Sequence, residues 1–249
     1  MAFRVATLNM EQDHKRWELR RELIIQQLAE LRPDILALNE ICVPLQTGRW
    51  LQHQARTLHG LKYSLVQQTK TNGSSLADAE GILTRFPLTE TANLDYRAWN
   101  AVAQVTRLEI EDRQVDVYVT HLHRSIGADS LRLYQVQQLL EWIDERDDVE
   151  HRVVCGDFNA TLDMPSAQLM TGHFEPSQTE PTAFTPLADV GGEPSHPSWE
   201  RMDRCIDYIW ATPSLKVLAS GLCFNVPSPE DTFLWPSDHV GVWADIEFR

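Results

Sequence analysis

Apolar and polar positions alternate along Phe3-Arg4-Val5-Ala6-Thr7-Leu8-Asn9, a period of two that predicts a strand ending in an amide, with Glu11 two positions on in the loop that follows. The period then changes. Between Lys15 and Leu31 the apolar Trp17, Ile24, Leu28 and Leu31 recur at helical spacing with Arg and Glu on the other face, which predicts an amphipathic helix that Pro33 ends. Asp34 to Glu40 is a mostly apolar run closing in Asn39-Glu40, so it reads as a buried strand with polar residues at its end. Residues 50–58 read as a second helix, 69–80 as a polar loop with Gly and Ser, and Gly81 to Pro87 as a short strand stopped by proline.

Residues 101–110 alternate as a strand, Asp112-Arg113 reads as a turn, and Val115, Val117 and Val119 alternate with mostly polar partners up to His121. This pair predicts a hairpin. Leu133, Val136, Leu140 and Ile143 mark a third helix over 130–146, which leads into Val153-Val154-Cys155-Gly156-Asp157-Phe158-Asn159-Ala160. In that strand the glycine lets the backbone turn, and Asp157 and Asn159, two apart, share a side of extended backbone. Residues 161–200 hold six of the thirteen prolines and no Lys or Arg, and read as a long loop with room for a short helix near Ala167. Arg204 to Trp210 predicts a strand carrying Asp207, 215–225 a further one, and Val240 to Phe248 the closing strand, entered from Ser237-Asp238-His239. No repeat, linker or charge run divides the chain, so 1–249 is expected to be one α/β domain.

Composition narrows the partners. The 249 residues, 43% hydrophobic and 23% charged, suffice for a sizeable core. The net charge is −14, and residues 153–249 hold four basic against fourteen acidic residues. Such a surface repels polyanions unless metal or a local basic patch compensates, which favours a small phosphorylated substrate or a short strand over a long duplex. Cys42, Cys155, Cys205 and Cys223 lack CxxC spacing, pointing to reduced thiols rather than a zinc knuckle or disulfides. Neither a signal peptide nor an apolar window of membrane-spanning length is legible, so the expectation is a soluble, cytoplasmic, monomeric chain with no membrane partner.

Chemistry collects at strand ends: Asn9, Glu11, Glu40, His121, Asp157, Asn159, Asp207, Asp238 and His239. Taken singly, an Asp closing a strand is more often a turn or cap residue, and a lone His such as His14, His53, His59, His151, His173 or His196 is usually a surface or satisfied core group. Together the nine supply hard oxygen donors for Mg²⁺ or Mn²⁺, two imidazoles, and amides that can orient water or a phosphoryl oxygen. The matching reaction is attack of water on phosphorus, with charge on the equatorial oxygens neutralised by metal and imidazolium.

Thr7-Leu8-Asn9-Met10-Glu11, Leu38-Asn39-Glu40, Gly81 to Pro87, Thr120-His121-Leu122, Gly156-Asp157-Phe158-Asn159, Arg204 to Ile209 and Ser237-Asp238-His239 follow one another as in the endonuclease/exonuclease/phosphatase superfamily, deoxyribonuclease I-like metal-dependent phosphoesterases that the chain resembles over nearly its whole length. The resemblance implies a four-layer αββα sandwich, two mixed sheets face to face with outer helices and the site at one end of the sheets. It further implies that Glu40 is the principal ligand of Mg²⁺ or Mn²⁺, with Asn9, Glu11 and Asp238 around the same ion. Asp157 would orient or deprotonate the attacking water and Asn159 hold the phosphate or that water. His239 would polarise a phosphate oxygen, fixed in its tautomer by Asp207, and His121 would contact the phosphate. Glu11 stands where relatives often carry Asp, and Asn39 where they usually carry Gln.

The function expected is therefore hydrolysis of a phosphodiester or phosphomonoester. Two alternatives accompany it. One is a nuclease or a DNA-end repair enzyme similar to the tyrosyl-DNA phosphodiesterases, for which Trp99-Asn100, Trp199 and Trp235 could stack on bases of a short nucleic acid. The other is a catalytically silent binding module, disfavoured because no position of the set is missing.

Overall fold

The computed structural model describes residues 1–11, 15–70, 78–125, 127–197 and 202–249. In chain order its elements are β1 (Phe3–Asn9), α1 (Trp17–Leu31), β2 (Ile35–Cys42), α2 (Thr47–His59), β3 (Ser64–Thr69), β4 (Asp78–Thr84), β5 (Leu88–Asp95), β6 (Val102–Ile110), β7 (Arg113–His121), α3 (Asp129–Asp144), β8 (His151–Asp157), α4 (Pro165–Thr171), β9 (Glu175–Pro176), β10 (Asp207–Ala211), β11 (Leu215–Cys223) and β12 (Gly241–Phe248). Six strands form one mixed sheet in the order β11-β12-β1-β2-β4-β3 and six form the other as β5-β6-β7-β8-β10-β9.

Alternation along the strands sorts side chains into layers. Phe3 and Val5 of β1, Ile35 and Ala37 of β2, Val117 and Val119 of β7, Val153 and Cys155 of β8 and Ile209 of β10 meet between the sheets. Ala6, Leu8, Leu36 and Leu38 face the other way, onto Trp17, Ile24 and Leu28 of α1 and Leu51 of α2. On the second sheet Tyr118, Val154, Tyr208 and Trp210 pack against Val136, Leu139 and Ile143 of α3 and Met170 of α4. The result is the expected four-layer αββα sandwich.

Parallel pairs occur where a helix carries the chain back, as β1 with β2 across α1 and β7 with β8 across α3. Their registers place Asn9 beside Asn39 and His121 beside Asp157, and the antiparallel β8–β10 pair places Asp157 beside Asp207. Polar strand ends thus share one end of the sandwich.

Several boundaries differ from the sequence reading. β3 and β5, at sheet edges, were not foreseen: their side chains are mostly exposed or half-buried, so no clean period marks them. The stretch 69–80 is not all loop, because Asp78-Ala79-Glu80 opens β4, which ends at Thr84 rather than running to Pro87. Residues 71–77 of that stretch, His14 and Trp199 lie outside the described residues. The hairpin turns at Glu111-Asp112, one residue earlier than expected, both with positive φ (52° and 61°), as a two-residue turn between right-twisted strands demands. The strand expected from Arg204 begins at Asp207, while Arg204 makes only an isolated bridge with Ala183.

Gly156 is where sequence and geometry agree most closely. Its φ is +129°, and a Cβ there would lie 2.0 Å from the Thr120 carbonyl oxygen of the neighbouring strand. Gly156→Ala is expected to cost at least about 3 kcal/mol in urea unfolding, since neither the backbone conformation nor the contact can relax cheaply; a loss within about 0.5 kcal/mol, typical of a neutral surface change, would contradict this account.

Candidate active site

At the polar end a cavity of about 360 Å³ is lined by Asn9, Glu11, Glu40, His121, Asp157, Asn159, Asp238 and His239, together with Arg124, Ser125, Phe184, Ser195 and His196. Eight of the nine residues singled out from the sequence therefore share one cleft. The ninth, Asp207, stands behind His239 and accepts a hydrogen bond from its Nδ1 at 2.8 Å.

Glu40 reaches the cleft through a backbone irregularity. Leu38 pairs with Gly81 and Ile41 with Ala79, so Asn39 and Glu40 together oppose Glu80, which is a bulge. Glu40 has φ 59°, and Glu11 and Asn159 also sit at positive φ (69° and 49°). Left-handed backbone at non-glycine residues is costly, and here it falls on the groups that face the cleft. The Glu40 carboxylate is buried, beside Asp238 and Glu11, and its pKa is raised well above the usual value by burial first and then by Asp238.

Asp157 is the hub. Its Oδ2 accepts from Asn9 Nδ2 at 3.1 Å, its Oδ1 from the Asn159 backbone N–H at 2.8 Å, and its own N–H donates to Asn39 Oδ1 at 2.9 Å. Burial and then the neighbouring Asp207 raise its pKa. His239 Nε2 lies 3.9 Å from Asp157 Oδ2, so this imidazole stands between two carboxylates. Although burial lowers its pKa, Asp207, Asp157 and Asp238 prevail and raise it well above the ordinary histidine value.

His121 is the opposite case. Its Nε2 takes the Asn159 side-chain amide at 3.1 Å, leaving Nδ1 toward Glu40 Oε1 at 3.7 Å and Lys70 Nζ at 3.5 Å. Burial, Lys70 and His239 hold its pKa well below the usual value, so the ring is neutral.

Five contributors were not singled out from the sequence. Asn39, noted only as a departure from Gln, donates to Glu80 Oε2 and to the Thr120 carbonyl at 3.0 Å, tying the sheets together. Lys70 and Glu80 lay in the stretch read as loop; Lys70 Nζ is 2.6 Å from Asp78 and 2.9 Å from the fully buried Glu80. Arg20, wholly buried on α1, donates to Glu11 Oε2 at 3.1 Å, the Met10 carbonyl at 3.1 Å and the Pro236 carbonyl at 2.7 Å, pinning both chain segments that carry Glu11 and Asp238. His196, read with the surface histidines, instead lines the cleft and stacks on Phe184 with centroids 3.6 Å apart. No local pattern announced the two cations: Arg20 follows Glu18-Leu19 and precedes Arg21-Glu22, and Lys70 follows Gln67-Gln68-Thr69, settings that read as solvated side chains.

The donor set suits a hard divalent ion, being carboxylate and amide oxygen, with a buried acid at Glu40 whose pKa burial and Asp238 raise against the opposing charges of Lys70 and His239. Among the described residues, the only His/Cys/Asp/Glu trio whose ligand atoms lie within 4.8 Å of one another is Asp157, Asp207 and His239. That closeness already has a cause: the Asp207–His239 hydrogen bond occupies Nδ1, and Asp157 accepts two donors.

A model of the Endonuclease/Exonuclease/phosphatase family matches residues 6–239. The chain belongs to that family. Its members are metal-dependent phosphoester hydrolases, and membership makes this chain an enzyme of that class. Similar proteins include Nocturnin of Xenopus laevis, 25% identical over 94% of this chain and 66% of that protein, and the CCR4-Not complex 3′-5′-exoribonuclease subunit Ccr4 of Candida albicans, 23% identical over 94% of this chain and 38% of that protein. The chain thus spans less than two thirds of the curated relatives it matches. The human Nocturnin catalytic domain, solved with a bound sulfate anion, superposes with a TM-score of 0.74 at 25% identity, covering 100% of this chain and 95% of that one.

The two imidazoles should titrate in opposite directions. A raised His239 contributes stability that is complete below the free-histidine pKa and lost as pH rises through its folded value. A lowered His121 contributes stability present above that pKa and lost as pH falls toward its folded value. In the chelator-treated protein, histidine NMR at pH 7.5 should show His239 as imidazolium and His121 neutral, and Asp207→Asn should move the His239 midpoint down. A neutral His239 would overturn the assignment.

Proposed function

We propose that this cleft hydrolyses a phosphate ester by water attack on phosphorus, with residues 1–249 acting as one catalytic domain. Support comes above all from one observation: Asp157, held by Asn9, Asn39 and Asn159, stands within 3.9 Å of a His239 that Asp207 orients. A carboxylate of raised basicity beside a fixed imidazolium is what general-base attack on a phosphoryl group needs.

In this reading Glu40 and Asp238 hold Mg²⁺ or Mn²⁺, with the Asn9 amide oxygen beside them. Glu11, committed to Arg20, adds negative charge more than a ligand atom. Such an ion supplies Lewis-acid polarisation of the phosphoryl oxygens. Asp157 orients the water and takes its proton. His239 donates through Nε2 to a phosphoryl oxygen, its Nδ1 fixed by Asp207. Asn159, whose amide is already engaged by His121 and the Leu122 carbonyl, positions His121 and Asp157 rather than gripping the phosphate itself.

The substrate class favoured is a nucleotide or a short single-stranded nucleic acid. An exoribonuclease subunit stands among the sequence relatives, and the exposed cation Arg124 at the cleft works against the overall charge of −14.

Assayed on bis-p-nitrophenyl phosphate and on nucleotides, turnover should require Mg²⁺ or Mn²⁺ and vanish with EDTA. Glu40→Gln, Asp157→Asn and His239→Ala should each lower kcat/KM by about 10²–10⁴-fold while leaving the fold intact by circular dichroism. Metal-independent turnover, or any of the three variants retaining most activity, would overturn the reading.

A further inference from the structure

Trp99 is 66% exposed, yet the chain holds it in place at some conformational cost. Arg97, Trp99 and Asn100, in the connection between β5 and β6, all have positive φ (52°, 59° and 59°). The turn is braced from inside: the Tyr96 hydroxyl meets Thr120 Oγ1 at 2.9 Å, and the fully buried Gln135 of α3 donates to the Ala98 carbonyl at 3.4 Å. The same Gln135 accepts the His123 backbone N–H at 2.9 Å. One buried amide therefore fixes the segments carrying both Trp99 and His123, whose rings lie 4.9 Å apart at 38°.

These two rings stand on a second cavity of about 360 Å³, which shares His121, Arg124 and Ser125 with the catalytic cleft. Arg124 brings positive charge to its wall, being exposed and without an ion pair among the described residues, whereas Lys70 is held by Asp78 and Glu80. A large indole surface beside cations and open to a neighbouring reaction centre matches a flat, polarisable ring. A sugar would instead lean on side-chain acceptors for its hydroxyls, and with the carboxylate on this wall, Asp78, already bound to Lys70 at 2.6 Å, that role falls to Asn100 and Ser125.

We propose that Trp99 and His123 form a stacking subsite for a heteroaromatic ring, a nucleobase, carried by the phosphate ester whose phosphorus enters the adjoining cleft. The proposal rests on reading that cleft as the phosphoester site and adds the residues that select among its substrates. Trp99 acts by covering one face of the base, and Arg124 attracts the phosphate or phosphates attached to it.

The test uses the Asp157→Asn form, so that ligands are not consumed, with Trp99→Ala and Trp99→Phe placed on it. Adenosine 5′-monophosphate should quench tryptophan fluorescence, Trp99→Ala should remove most of the quench and weaken its binding about tenfold or more, and Trp99→Phe should recover part of the affinity. Glycerol 2-phosphate and glucose 6-phosphate, lacking a ring of this kind, should bind both forms equally within a factor of about two. Undiminished nucleotide binding by Trp99→Ala, no nucleotide binding at millimolar concentration, or an equal loss for all three ligands would overturn the proposal. Metal-dependent hydrolysis of bis-p-nitrophenyl phosphate by the unaltered protein, lost in Asp157→Asn, separates this failure from that of the cleft: turnover of that kind together with nucleotide binding that ignores Trp99 defeats only the subsite.

Discussion

Two sheets packed through an apolar core have little to fix their relative height, since hydrophobic contact is not directional. At the polar end three hydrogen bonds across the gap provide that reference: Asn39 Oδ1 from the Asp157 N–H, Asn39 Nδ2 to the Thr120 carbonyl, and Asn9 Nδ2 to Asp157 Oδ2. All their members are buried, so breaking one leaves a polar group dry at about 1–3 kcal/mol. The arrangement makes site geometry a consequence of sheet registration: Asp157 cannot shift without disturbing both sheets. It also explains Gly156, because Asn39 Oδ1 and the Thr120 carbonyl crowd the space a side chain would occupy.

The same closeness concentrates negative charge. Glu11, Glu40, Glu80, Asp157 and Asp207 are all buried within this end of the molecule, and burying unpaired carboxylates is expensive. Two buried or nearly buried cations divide the compensation. Arg20 takes Glu11 and at the same time holds the Met10 and Pro236 carbonyls; Lys70 takes Asp78 and Glu80. His239 serves Asp207 and Asp157. Glu40 has His121 at 3.7 Å, a ring kept neutral by its surroundings, and the charges of Lys70 and His239 oppose its burial and its neighbour Asp238 without overcoming them. A divalent cation, on which the family depends, would relieve that excess of buried negative charge.

Legibility in the sequence followed burial pattern. Strands with one apolar face or two, such as β1, β2, β7 and β8, and helices with a stripe, such as α1 and α3, could be read from period alone. β3 and β5 could not, because edge strands bury neither face well, and β4 was clipped because Asp78 and Glu80 look like loop residues until Lys70 and Asn39 are known to face them. The candidate set was legible because its members flank apolar runs. Its supports were not: Asn39, Arg20, Lys70 and Gln135 act through partners from 8 to 216 residues away in the chain, a separation that no local pattern encodes.

An acidic protein can still take an anion if the field near its cleft differs from the field of the whole. Here cations stand at the rim. Fourteen acidic against four basic residues lie beyond position 152, yet the exposed Arg124 follows β7 on one wall of the cleft, and His239, with its raised pKa, stands on the other. Screening confines that positive rim to a Debye length of about 8 Å at physiological salt. A ligand with one or a few phosphates lies inside this range and gains from it, whereas each added phosphate of a longer strand would extend over the acidic surface and lose. On the proposed phosphoester reading, the charge pattern therefore favours a short substrate over a long one, independently of the shape of the cleft.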